Sequence, residues 1–171
     1  KKAFKMEEVR CYFAIILIAT AIIFANILDR CVSIFDALTK SVFQVASLIT
    51  STGFSSTDFN LWPQICRTVL VLIMFIGACA GSTGGGIKVS RVIVLFKTMI
   101  KELHSYIHPK SIRKVNLDGK PVEHEIVRSI NVYIVTFVII FASSVFMVAF
   151  DGKDLVTNFT AVLTTINNMG P

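Results

Sequence analysis

Two long stretches without a single charged residue set the terms for this sequence: Cys11 to Leu28 and Ile130 to Phe150. Each suits a helix that crosses the hydrocarbon core of a bilayer, which takes roughly 20 mostly apolar residues. A third uncharged block, Thr68 to Ala80, is shorter and needs its own account. Of the 171 residues, 54% are hydrophobic and 16% charged. With a mean hydropathy of +0.71, this composition lies outside the range of soluble globular domains. The expected fold class is an all-α integral membrane protein in contact with lipid.

The formal net charge of +6 would suggest nucleic acid in a soluble protein, but its placement points to membrane topology instead. Lys88, Arg91, Lys97, Lys101, Lys110, Arg113, Lys114, Lys120 and Arg128 crowd one connection, and Lys1, Lys2, Lys5 and Arg10 precede the first apolar block. The segments from Asp29 to Leu61 and from Asp151 onward carry Asp29, Asp36, Asp58, Asp151 and Asp154 against Arg30, Lys40 and Lys153. By the positive-inside rule the N-terminus and the 88–128 connection face the cytoplasm, and no nucleic-acid partner is expected. Lys1-Lys2-Ala3-Phe4-Lys5 has the look of a signal-peptide n-region, but no small-residue cleavage pattern closes the apolar run, so it reads as a cytoplasmic flank. The sequence opens without Met and stops just after a turn at Gly170-Pro171, as expected of a piece of a longer chain.

The chemistry of the remaining residues is sparse. Cys11, Cys31, Cys66 and Cys79 show no CxxC spacing and no nearby His pair, and read as small buried hydrophobes. His104, His108 and His124 lie in the basic connection and read as solvated. Gly81-Ser82-Thr83-Gly84-Gly85-Gly86-Ile87-Lys88 resembles a phosphate loop only superficially. Ile87 separates the last Gly from the Lys, Val89 stands at the Ser/Thr position, and no strand precedes it. No catalytic constellation is present, so an enzyme is not expected.

An internal repeat organises what is left. An offset of 117 residues lays Gly53 over Gly170, Leu38 over Leu155, Val45 over Val162, Ser47 over Thr164 and Ile49 over Ile166, and the first apolar block over the last. Each unit is a spanning helix followed by a short segment rich in Thr, Ser and Asn that ends in Gly: Phe35 to Gly53 and Asp154 to Gly170. Non-helical backbone survives at membrane depth only where protein or a water-filled cavity surrounds it. A short helix descending from outside and returning as a pore loop meets that demand; an external loop with some buried Thr and Ser is the alternative. In a pore loop the expected chemistry is desolvation of a monovalent cation by backbone carbonyls. Thr50, Ser51, Thr52 and Gly53, and Asn167, Asn168, Met169 and Gly170, are the candidate ion-binding residues.

Between the units, Trp62-Pro63 opens a helix expected to run to Gly81 and to break at Ser82-Thr83-Gly84-Gly85-Gly86, where each Gly costs a helix roughly 1 kcal/mol relative to Ala. Gly77 and Gly81 form a GxxxG spacing, which also suits close helix packing. Beyond the break, Ile93, Phe96, Ile100, Leu103 and Ile107 recur at helical spacing beside Lys88, Arg91, Lys97 and Lys101, a basic amphipathic helix at the headgroups. Asp118-Gly119 then signals a tight hairpin, a possible docking point for a partner.

Four features in this order, STGF after a short helix, GSTGGGIK, a basic connection with DGKPV, and NNMGP, resemble the Trk/Ktr/HKT cation transporters, and most of all their bacterial TrkH branch. The resemblance implies M1–pore-loop–M2 repeats of the potassium-channel type, four to a subunit, of which this chain would be the third and most of the fourth. It implies residues 1–30 as cytoplasmic flank and M1, 31–61 as pore helix and filter loop, and 62–111 as an M2 broken by a Gly-rich intramembrane loop and continuing as a basic cytoplasmic helix. Residues 112–126 become a cytoplasmic hairpin connection, 127–150 the second M1, and 151–171 the second pore helix and filter loop. It implies K+ held by filter carbonyls, with Gly53 and Gly170 as filter glycines, and a gate formed by Gly77, Gly81, Ser82, Thr83, Gly84, Gly85, Gly86 and Lys88. It also implies a homodimer in the bacterial inner membrane, a cytoplasmic nucleotide-binding subunit of the TrkA type, and no organic cofactor. A fragment of a secondary transporter with discontinuous helices is the alternative.

Overall fold

The computed structural model describes residues 6–108 and 114–170. Lys1, Lys2, Lys5, Lys110, Arg113 and Pro171, which entered the arguments on charge and on the second turn, lie outside the described residues. In chain order the elements are α1 (Glu7–Ile27), α2 (Ile34–Ile49), α3 (Gln64–Ile76), α4 (Val89–Ile107), a hairpin of β1 (Asn116–Leu117) and β2 (Lys120–Pro121), α5 (His124–Val148) and α6 (Leu155–Ile166).

The helices α1 and α5 are long and apolar enough to cross a membrane, yet only 17% and 6% of their apolar windows are buried within the chain. A soluble protein puts such surfaces inside. Here α5 exposes Val135, Val138, Ile139, Ile140, Phe146 and Met147, and α4 exposes Phe96, Ile100, Leu103 and Ile107. Such exposed apolar faces suit contact with lipid or with further parts of a longer chain, not with water. The shorter α2 and α6 each start from a side-chain cap: Ser33 accepts from the Asp36 N–H at 3.2 Å, and Asp154 accepts from the Val156 N–H at 3.2 Å.

The core lies among the first three helices. Ile23 and Ile27 of α1, Val45 and Ile49 of α2, and Cys66 and Leu70 of α3 pack together, with Leu163 reaching in from α6. Phe75, Phe141 and Phe159 join α3, α5 and α6 through ring centroids 5.5, 5.9 and 4.9 Å apart. All four cysteines are free thiols, but only Cys66 is fully buried. Cys11, on α1, and Cys31 and Cys79, in loops, are half-buried, with Cys31 packed against the core, so the expectation of burial holds for these three only in part.

One boundary also differs from expectation. The helix expected to run from Trp62 to Gly81 stops at Ile76. Gly77 takes φ 68° and ψ −161°, a region essentially closed to residues with a Cβ. The Gly77–Gly81 spacing is therefore not a helix-packing face. The hairpin forms around Asp118 and Gly119, both at positive φ as a type I′ turn requires.

Candidate functional site

The two short helices end in the same way. After α2, the Ser51 N–H donates to Leu48 O at 3.1 Å and the Thr52 N–H to Ser47 O at 2.9 Å, with Ser51 at φ 59°. After α6, the Asn168 N–H donates to Thr165 O at 3.2 Å and the Met169 N–H to Thr164 O at 2.9 Å, with Asn168 at φ 50°. Both are Schellman turns: the carbonyls left over at the helix end are satisfied by the turn's own amides, and a left-handed residue reverses the chain. Every position corresponds at the 117-residue offset.

The turns meet at their glycines. A methyl group on Gly53 would collide with the carbonyl oxygen and carbon of Gly170, and one on Gly170 would lie 2.7 Å from Thr52 O. Beneath them runs the Gly-rich segment. A methyl group on Gly85 would collide with the Asn167 carbonyl, and one on Gly84 would lie 3.1 Å from Ser51 Oγ. Among the described residues, Ser51 Oγ, which faces Gly84, and Asn167 Oδ1 are buried without a hydrogen-bond partner.

Residues 77–88 form a loop pinched at its neck, and its amides satisfy three of the last four carbonyls of α3. Ile73 O accepts from the Gly77 N–H at 3.1 Å, Phe75 O from Ile87 at 3.3 Å and Ile76 O from Lys88 at 2.8 Å. The fourth, Met74 O, accepts from Asn167 Nδ2 at 2.9 Å. A helix end packed inside a protein needs this accounting, because a buried carbonyl left without a donor costs about 1–3 kcal/mol. Lys88 sits at φ 76°, strained for a residue with a side chain, while its Nζ donates to Ser82 O at 2.7 Å and Ala80 O at 3.3 Å. From α5, Tyr133 donates to Gly86 O at 3.4 Å.

Helix lengths give the room left for this loop. At 1.5 Å per residue the 21-residue α1 runs about 31 Å and the 13-residue α3 about 20 Å. Since α1 and α3 pack side by side, α3 is about 12 Å the shorter, and the loop occupies the difference beside the first turn of α1, where Glu8 meets Ala80.

Against known proteins, the family model described as TrkH, cation transport protein, matches residues 10–171. The chain belongs to this family. It is 33% identical to the Trk system potassium uptake protein TrkH of Salmonella typhimurium over 92% of its own length and 32% of that protein's. It is 34% identical to the Escherichia coli K12 protein TrkG over 76% of its length and 27% of the relative's. The crystal structure of the potassium transporter TrkH from Vibrio parahaemolyticus superposes with a TM-score of 0.90 at 30% identity, over 98% of this chain and 36% of that one. The chain thus spans about a third of the length of the curated relatives it matches. These relatives are potassium uptake proteins, not enzymes.

In this TrkH-family chain the candidate residues fall into one assembly with a rim. Thr52, Gly53 and Gly170 form the contact between the turns, and Ser51 and Asn167 face Gly84 and Gly85. Gly77, Gly86 and Lys88 form the neck, while Gly81 and Thr83 lie exposed at the tip, and Ser82 folds back to accept from the Gly84 N–H at 3.1 Å. Thr50 and Asn168 are exposed. Two contributions are invisible to sequence reasoning. Asn167 acts through its side chain on α3, and Glu8, in the first turn of α1, accepts from the Ala80 N–H at 2.6 Å. The one available signal for Glu8 is an acidic pair, Glu7-Glu8, inside an otherwise basic flank.

Proposed function

We propose that this chain supplies two of the pore-lining repeats of a potassium-uptake protein, with selectivity in the two glycine turns and a gate in the loop beneath them. Carbonyls of Thr50 to Gly53 and of Asn167 to Gly170 replace part of the hydration shell of K+, the transported ion, and further repeats complete the ring. The loop from Gly77 to Gly86, with Lys88 at its neck, blocks the path below. A glycine loop swings aside with little steric resistance, which an intact helix could not do. The observation that carries this reading is the contact itself: two copies of one turn meet at Gly53 and Gly170, with Gly84 and Gly85 pressed against both.

The test is rubidium uptake into liposomes holding the full-length parent. Gly53→Asp is expected to abolish uptake or its selectivity, and deletion of Gly84 to Gly86 to leave uptake high without an activator. Unaltered flux in both variants would sink the pore reading.

The same reading places the protein in the bacterial inner membrane, as a homodimer with the N-terminus and the 88–128 connection in the cytoplasm. A cytoplasmic nucleotide-binding subunit of the TrkA type would dock on that connection. The support is its basic charge and the exposed hairpin turn at Asp118-Gly119. Removing residues 112–124 should then lower co-purification of such a subunit at least several-fold; unchanged recovery moves the docking surface elsewhere.

A further inference from the structure

The Gly-rich loop is held from outside by a residue far away in sequence. Glu8 Oε1 accepts from the Ala80 N–H at 2.6 Å, and Lys88 Nζ holds the carbonyl of the same residue at 3.3 Å. Glu8 belongs to α1, not to the loop or its neck, so this bond fastens the loop to a separate membrane-spanning helix. The neighbouring residue fastens the cytoplasmic connection. The Glu7 N–H donates to Asp118 Oδ1 at 2.6 Å, and the Glu7 carboxylate pairs with Lys97, whose Nζ also donates to Asn116 O at 2.8 Å. The loop and the hairpin therefore converge on one helical turn.

We infer that Glu8 is a positioning residue that latches the Gly-rich loop against the foot of α1, and that the hairpin is coupled to the latch through Glu7. The bond needs an accepting oxygen within reach of the Ala80 N–H, and Ala80 lies at the exposed side of the loop, with its carbonyl held by Lys88. A hairpin displaced by a bound partner shifts the turn that carries Glu8, which frees the tip while the neck at Gly77 and Gly86 stays closed. A simpler role is also open to an acidic residue in a first turn, namely stabilising the positive end of the helix. The two roles make opposite demands. The latch needs an accepting oxygen at the right reach, whereas the helix end needs a negative charge at any reach.

This inference rests on the gate reading for its effect on flux, but not for the latch itself. The probe is Cys79, a free thiol in the loop next to Ala80. In the full-length parent with its other cysteines replaced, Cys79 modification by iodoacetamide is compared among wild type, Glu8→Gln and Glu8→Asp as the limiting rate at high pH, where the thiol is ionised in all three and the neighbouring charge at position 8 no longer sets the rate. Gln keeps the reach and loses the charge; Asp keeps the charge and withdraws the oxygen by one methylene. Glu8→Asp is expected to speed labelling about tenfold or more, and Glu8→Gln to stay within a few-fold of wild type. The reverse order, or equal rates in all three, overturns the latch. Rubidium uptake without an activator is measured on the same proteins. Fast labelling of Glu8→Asp with raised uptake supports both latch and gate, whereas fast labelling with unchanged uptake keeps the latch and removes the gate assignment from the loop.

Discussion

The turn after α2 and the turn after α6 share the two hydrogen bonds of the Schellman pattern, but are anchored by different means. The first is tied within its own unit: Ser47 Oγ donates to Phe54 O at 2.6 Å, and the Thr50 and Thr52 hydroxyls meet at 2.8 Å. The second is tied across units, because Asn167, fully buried at the position of Thr50, reaches Met74 O at the end of α3. What the repeat preserves is carbonyl geometry, set by the Schellman pattern and the glycine. What it leaves free is the side chain at the helix end, and that freedom lets the second turn also cap the broken helix. One turn is self-contained, and the other is part of the loop's support.

The largest difference between the turns is expected from removing these two side chains. Asn167→Ala leaves the Met74 carbonyl buried without a donor, a loss of about 1–3 kcal/mol. Thr50→Ala removes an exposed hydroxyl and should stay within about 0.5 kcal/mol. Thermal melting of the detergent-solubilised full-length parent reads both. Asn167→Ala should also loosen the end of α3 and speed the labelling of Cys79, whereas Thr50→Ala should not. Equal melting shifts in the two variants would erase the proposed asymmetry.

This asymmetry marks the limit of what the residues alone revealed. The spanning helices were legible because uncharged runs leave a chain few alternatives, and the doubled turn was legible because an offset of 117 aligns whole side-chain patterns. The position of the helix break was legible only to within a few residues. A run of three glycines draws attention to Gly84 to Gly86, but the chain turns at Gly77, which sits in an apolar run and gains its meaning from a backbone angle. The burial of Asn167 and the reach of Glu8 were not legible, since each depends on a partner dozens of residues away that only packing brings near. Local chemistry is written in local sequence; anchoring between elements is not.

The smallest expected effect separates the turns at their left-handed residues. Ser51 at φ 59° carries a Cβ in a conformation that costs most residues about 1–2 kcal/mol, while Asn168 at φ 50° is a residue type that tolerates it. Ser51→Gly should therefore raise the melting temperature by relieving that cost, less what glycine loses in chain entropy. Asn168→Gly has less strain to relieve and should raise it by a smaller amount or leave it unchanged. The Ser51 hydroxyl also lies against Gly84, so removing it opens space between the turn and the loop. Stability and flux can then move in opposite directions: a more stable first turn above a less tightly seated loop, seen as a higher melting temperature with more uptake in the absence of an activator. If Ser51→Gly is instead less stable than Asn168→Gly, the hydroxyl contributes more than the strain costs, and the first turn depends on the loop as much as the second does.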